Sequence, residues 1–125
     1  MPLTVLVVDD NAAMRKALCR LFIAAGGFEI CVEAATGEEA LEKVRDLNPQ
    51  LIVLDLCMPG MNGLETARRL QPVSHPPIIL YSMMAEHIQE REAFQCGVSA
   101  VVSKAEGIRT LLSKARSMLN ADPAA

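Results

Sequence analysis

The chain has 125 residues, near the commonest size for one domain, and its 51% hydrophobic against 22% charged content supports a real core and excludes a disordered chain. A formal net charge of −3 and a pI near 5.3 exclude any general attraction to nucleic acid or anionic membrane. With one Tyr, three Phe and no Trp, stacking on bases is excluded too, and the core must be built from Leu, Ile, Val, Ala and Met.

The first segment, "MPLTVLVVDD", shows no basic leader, and its apolar run is too short for a signal or membrane segment, so a cytoplasmic protein is expected. Its apolar part, residues 3–8, is expected to be a strand. Residues 12–25 carry Met14, Leu18, Leu21, Phe22 and Ala25 at spacings of three and four, which predicts a helix stopped by the two glycines at 26–27. "FEICVEA" at 28–34 alternates Glu29 and Glu33 with apolar residues, as a strand near a sheet edge would. Thr36 then caps a helix over 37–47, with Glu39 three residues on as in a capping box.

Residues 51–54, "LIVL", fit a strand covered on both faces, followed by the Pro- and Gly-dense loop "DLCMPGMNG" and a helix over 62–70. The same reading gives strands at 77–81 and 99–103, and helices at 85–97 and 107–120. Strands alternating with helices five times predict an α/β fold with a parallel sheet and helices on both faces. Residues 1–120 form the expected domain, and "ADPAA" at 121–125 reads as a frayed end or the start of a linker. Cys19, Cys31, Cys57 and Cys96 are scattered without a CxxC pair, which suits neither zinc nor a disulfide scaffold; buried free thiols in a reducing cytosol are expected. His75 and His87 are read as surface residues.

In an open parallel sheet, ligands sit beyond the carboxyl ends of the strands. Those ends are all polar here: Asp9, Asp10 and Asn11 after the first strand, Asp55 after the third, Ser82 at the fourth, and Ser103 with Lys104 at the fifth. Singly, each has an ordinary role. Asp10 or Asn11 caps a helix, Asp55 starts a turn, Ser82 caps the next helix, and Lys104 is a surface charge. Together, three acids converging on one rim repel one another unless cations or protons intervene. Mg²⁺ is the economical answer, since it takes few carboxylates and keeps sites for water and phosphate oxygens. With Lys104 as a second positive charge and Ser82 as a hydroxyl donor, the set suits phosphoryl transfer, with Asp55 as nucleophile.

The motifs "VLVVDDN", "LIVLDLCMPGMNGLE", "IILYS" and "VVSK", in that order, resemble the receiver domain of bacterial two-component response regulators (the CheY-like superfamily) over essentially the whole chain. The resemblance implies the (βα)5 flavodoxin-like sandwich with strand order 2-1-3-4-5, helices one and five on one face and two to four on the other. It implies Asp55 as phosphoacceptor, and Asp10, Asp55 and the backbone carbonyl of Cys57 as Mg²⁺ ligands. Asp9 would act through bound water, and Ser82 and Lys104 would contact phosphoryl oxygens. It further implies a sensor histidine kinase or phosphotransfer protein as donor. Output to an effector, a partner or a second copy would run through the fourth helix, fifth strand and fifth helix. Direct nucleic-acid binding, a membrane role and conventional enzyme activity beyond self-catalysed phosphorylation and dephosphorylation are not expected.

The sequence departs from the family at Met83, where a small residue is usual, at Val101, where the switch aromatic is usual, and at Ala105, where a proline is usual. Cys57 and Met84 lie where the family steers attacking water, so slow self-dephosphorylation is expected. The main alternative is a degenerate receiver that binds partners without phosphate. A phosphohydrolase would need an acid at position 57, and a flavin-binding domain would need a Ser/Thr/Gly-rich loop in place of "DDNAAMR".

Overall fold

The computed structural model describes residues 3–25, 27–74 and 76–120; the expected tail at 121–125 and the surface reading of His75 fall outside them. The elements in chain order are β1 (Thr4–Val8), α1 (Ala12–Ala25), β2 (Ile30–Ala34), α2 (Gly37–Leu47), β3 (Leu51–Leu54), α3 (Gly63–Leu70) and β4 (Ile78–Ser82). A 3-10 turn (Ala85–His87), α4 (Glu90–Gln95), β5 (Ala100–Ser103), a second 3-10 turn (Lys104–Glu106) and α5 (Ile108–Asn120) complete the fold. The five strands form one parallel sheet in the order β2-β1-β3-β4-β5, the flavodoxin-like arrangement expected.

Alternation along each strand divides the core. Val5 and Val7 join Leu18, Phe22, Leu111 and Ala115 on the α1/α5 face, while Leu6 and Val8 join Ala40, Val44, Ala67, Leu70 and Ala93 on the α2–α4 face. Because both faces are covered, β1, β3 and β4 are buried at every position. β2 is the edge strand that the alternating glutamates predict, with Ile30 exposed and only Ala34 buried.

Several boundaries differ from expectation. Phe28 is not in a strand; it is buried and meets Phe22 edge-to-face at 5.4 Å between centroids, so burial outweighs its β-propensity. The helix expected over 85–97 is broken into the short turn and the six-residue α4, because Ile88 is extended (φ −104°, ψ 130°) and packs partly buried against the core. Gly107, at φ +89°, separates the second turn from α5. Thr36 caps α2 by accepting from the Glu39 amide at 3.1 Å, but Glu39 reaches back to the Ala35 amide at 3.5 Å and is chiefly committed to Lys43 at 2.9 Å.

The cysteine expectation is overturned. Cys19 on α1 and Cys31 on β2 form a disulfide, their Cα atoms 5.4 Å apart, within the usual range for a bridge. They lie twelve positions apart in sequence, so no short motif announces the pair; packing of α1 over β2 brings them together. Of the two remaining thiols, Cys96 is buried as expected and Cys57 is exposed.

Candidate functional site

The register of the sheet aligns the strand ends that carry the site. Val8 pairs with both Ala34 and Leu54, Leu54 with Leu80, and Ser82 with Ser103, so the residues that follow reach one rim. Asp9 is fixed first: its N–H donates to the Ala34 carbonyl at 3.1 Å, and its Oδ1 accepts from the Asn11 N–H at 2.9 Å. Asn11 in turn caps α1, its side chain accepting from the Met14 N–H at 3.0 Å. Capping by Asn11 leaves Asp10 free, exposed at the rim.

Asp55 continues the β1–β3 ladder, with its N–H on the Val8 carbonyl at 2.9 Å, and is only 8% exposed. The loop after it folds tightly back, since the Gly63 N–H donates to the Leu56 carbonyl at 2.8 Å. Only glycine fits there, because a Cβ at position 63 would lie 2.3 Å from the Asp55 carbonyl oxygen. Met58 and Met61 are buried under this loop, as apolar cover for it, while Cys57 is exposed at its turn.

Ser82 ends β4 almost fully buried, its hydroxyl accepting from the Met84 N–H at 3.1 Å. Lys104 is aimed by the turn it begins. Ser103 and Glu106 form a reciprocal capping box, with the Ala105 N–H on the Ser103 hydroxyl at 3.1 Å and the Ser103 N–H on the Glu106 carboxylate at 2.9 Å. The Lys104 ammonium lies 2.9 Å from Asp9, 3.5 Å from Asp55 and 5.9 Å from the centroid of the Tyr81 ring.

Asp9, Asp10 and Asp55 each present a carboxylate oxygen, all within 4.8 Å of one another. Three carboxylates against one ammonium leave about two negative charges in a partly buried pocket, the deficit a divalent cation fills. The electrostatics agree. Burial and the Asp9 charge push the Asp55 carboxyl above its ordinary range, against the pull of Lys104 and Ser82. Burial opposes the Lys104 charge, but its hydrogen bond to Asp9 and the Asp55 charge prevail and raise its pKa. Burial also raises the Tyr81 hydroxyl. The donor set is therefore oxygen-only, acidic and short of positive charge, which fits Mg²⁺.

A family profile described as the response regulator receiver domain matches residues 5–116. The chain belongs to that family. Receiver domains interact with histidine kinases or phosphotransfer proteins and with effector domains, and generally bind Mg²⁺ at an acidic pocket. Among solved structures, the response regulator domain of Thermotoga maritima CheB is 31% identical with a TM-score of 0.84, over 98% of this chain and 100% of that one. Chemotaxis protein CheY4 of Vibrio cholerae is 27% identical with a TM-score of 0.83, over 94% of this receiver and 99% of that protein. Among curated relatives, a protein-glutamate methylesterase/protein-glutamine glutaminase 1 of Syntrophomonas wolfei subsp. wolfei is 37% identical over 82% of this chain and 30% of its own length. Response regulator GacA of Pseudomonas viridiflava is 33% identical over 90% of this chain and 53% of its own length. The receiver thus spans about a third to a half of these curated relatives.

The structure brings Asp9, Asp10, Asp55, Ser82 and Lys104 to one rim, with Cys57 two residues past Asp55 in the adjoining loop. Two of the departures from the family are visible as well: Met83 is 67% exposed rather than packed into the pocket, and Val101 is half-buried against the α2–α4 core. His87 is exposed and apart from the acids. Sequence reading missed a brace behind the acids. The Arg15 Nε donates to Glu33 at 3.1 Å, and its Nη1 donates to the Asp9 carbonyl at 2.7 Å. The available signal was Arg15 one turn after the Asn11 cap, facing the edge strand that carries Glu33.

Proposed function

We propose that this receiver is a phosphorylation-dependent switch whose phosphoacceptor is Asp55. The observation that carries the reading is Lys104 held 2.9 Å from Asp9 and 3.5 Å from Asp55, at a rim where three carboxylates converge. Such convergence is costly and is accounted for by phosphoryl chemistry.

In the proposed reaction an Asp55 carboxylate oxygen attacks phosphorus of a donor phosphohistidine. The P–N bond breaks, its electron pair stays on the imidazole, and an aspartyl phosphate forms. Lys104 pairs with the incoming phosphoryl oxygens, and the Ser82 hydroxyl donates to another. Asp10, Asp55 and the Cys57 carbonyl would hold Mg²⁺, with Asp9 acting through water. Bound Mg²⁺ would supply the remaining charge neutralisation at the transferring group. Reorganisation of Ser82 and the adjoining 3-10 turn around the new dianion would shift a two-state equilibrium read on the α4, β5 and α5 face. A histidine kinase or phosphotransfer protein is the proposed donor, and an effector, partner or second copy the proposed reader. No nucleic-acid contact and no conventional turnover are assigned to these residues.

No helix among the described residues is long and apolar enough to cross a membrane. We place the domain in the cytoplasm with its donors; since disulfides are uncommon there, the in-cell redox state of Cys19 and Cys31 tests that placement. The functional test is intact mass after incubation with acetyl phosphate and Mg²⁺, then with a phosphorylated histidine kinase. One phosphoryl group on the wild type, absent from Asp55→Asn and abolished by chelation, is expected. No phosphorylation from either donor would leave a phosphate-independent interaction module as the better reading.

A further inference from the structure

We infer that Arg15 is a positioning residue for the acid cluster, fixing the peptide that joins Asp9 to Asp10 and so setting the metal-binding geometry. This rests on the reading of Asp9, Asp10 and Asp55 as the Mg²⁺ site but not on the phosphorylation of Asp55.

The peptide between Asp9 and Asp10 is the hinge from which both acidic side chains depart. Its carbonyl, that of Asp9, lies just past the end of β1, and the sheet leaves it without a ladder partner among the described contacts. Arg15 supplies one, donating Nη1 at 2.7 Å while its Nε is held by Glu33 at 3.1 Å. The Arg15 side chain is 15% exposed and that of Glu33 35%, so this is a partly buried bridge. Its far anchor is itself held, because the Lys43 ammonium donates to the Glu33 backbone carbonyl and to the Glu39 carboxylate. The Asp9 N–H is pinned to β2 as well, through the Ala34 carbonyl. Both sides of Asp9 are therefore referenced to the same edge strand, one directly and one through a planar, two-pronged cation. A guanidinium spans two acceptors at fixed angles where an ammonium is a point charge.

Charge and position predict opposite results. Removing a cation beside three carboxylates tightens Mg²⁺ binding by electrostatics alone. Releasing the Asp9 carbonyl lets the peptide rotate and moves the Asp10 carboxylate out of register, which weakens it. A positioning role requires the second effect to dominate.

The test is Mg²⁺ titration with no phosphoryl donor, followed by amide chemical shifts, on the wild type, Arg15→Ala, Arg15→Lys and Glu33→Gln. For Arg15→Ala the expected result is an affinity weakened about tenfold, the scale of one lost charge-assisted hydrogen bond. Arg15→Lys should recover part of the loss, and Glu33→Gln should weaken binding less than Arg15→Ala. Amide shifts away from the rim report whether each variant is folded; if Arg15→Ala is not, Arg15→Lys carries the test, since it keeps the charge but cannot span Glu33 and the Asp9 carbonyl as a fork. Unchanged or tighter Mg²⁺ binding in Arg15→Ala, or unchanged binding in Arg15→Lys where that variant stands alone, overturns the inference. Failure of the wild type to accept phosphoryl groups would overturn the proposed function and leave this result standing.

Discussion

Replacing Gly63 by Ala places one methyl group against the backbone of Asp55, the proposed phosphoacceptor. The added Cβ would sit 2.3 Å from the Asp55 carbonyl oxygen and 2.9 Å from the Leu56 Cα, whereas ordinary contact begins near 3.4 Å. About an ångström must be opened in a segment tied at both ends, by Gly63 N–H to Leu56 and by Asp55 N–H to Val8. Gly63 has no positive φ, so the cost is crowding alone. Overpacking of this kind costs about 1–3 kcal/mol. For a chain of this length each kcal/mol lowers Tm by roughly 3–6 °C, so a fall of about 3–18 °C is expected. Gly107→Ala is the comparison. Its φ of +89° strains any side chain, but nothing lies within 4 Å of its Cβ position, so stability falls without displacing Asp55. Thermal unfolding and the initial rate of acetyl phosphate labelling should be measured for both. Gly63→Ala should lose rate well beyond what its Tm shift explains, and Gly107→Ala should not. A Gly63→Ala protein with Tm within about 1 °C of the wild type and full labelling would refute the close-approach reasoning.

Asp55→Asn should be more heat-stable than the wild type at pH 7 without divalent metal. Burial and Asp9 raise the folded-state pKa of Asp55, so the native state prefers it protonated and stability falls as pH rises from the unfolded value through the folded one. The gap between variant and wild type should close on acidification, and a less stable variant at pH 7 would contradict this. Unreduced protein should titrate two thiols, Cys57 readily and Cys96 only on unfolding, with four after reduction. Reduction should cost about 2–3 kcal/mol, given the short loop the bridge closes; four thiols before reduction would contradict the pairing. The aspartyl phosphate should decay slowly, because exposed Cys57 and Met84 offer little to orient water; loss within seconds, followed by mass, would sink that expectation.

Much of this was legible in the chain. Short aliphatic runs such as 51–54 gave away the buried strands, because a strand covered on both faces cannot alternate. The rim acids were legible from strand ends alone, since parallel strands must bring their carboxyl ends to one side. What the chain hid depends on packing between distant segments. Ile88 breaks a well-patterned helix because a partly buried site in the core is open to it, which no local periodicity encodes. Phe28 leaves the strand for Phe22, and Cys19 meets Cys31 because α1 lies across β2. Arg15 left only its place one turn after the Asn11 cap as a signal: its worth lies in a backbone carbonyl, and carbonyls leave no mark in composition.

The two flanks of the pocket are unequally stiff. On the β2 side, a covalent link, the Arg15–Glu33 bridge and the Lys43 contacts tie helix to strand. On the β5 side stand a three-residue turn and a six-residue helix whose N-terminus has no side-chain cap. A contraction at the pocket, as the proposed switch requires, would distribute its displacement by compliance, with the braced flank as the fixed frame and the strain discharged toward α4. If the proposed switch operates, the direction of its signal would follow from where this chain put its reinforcement rather than from an aromatic at position 101, which is Val101 here.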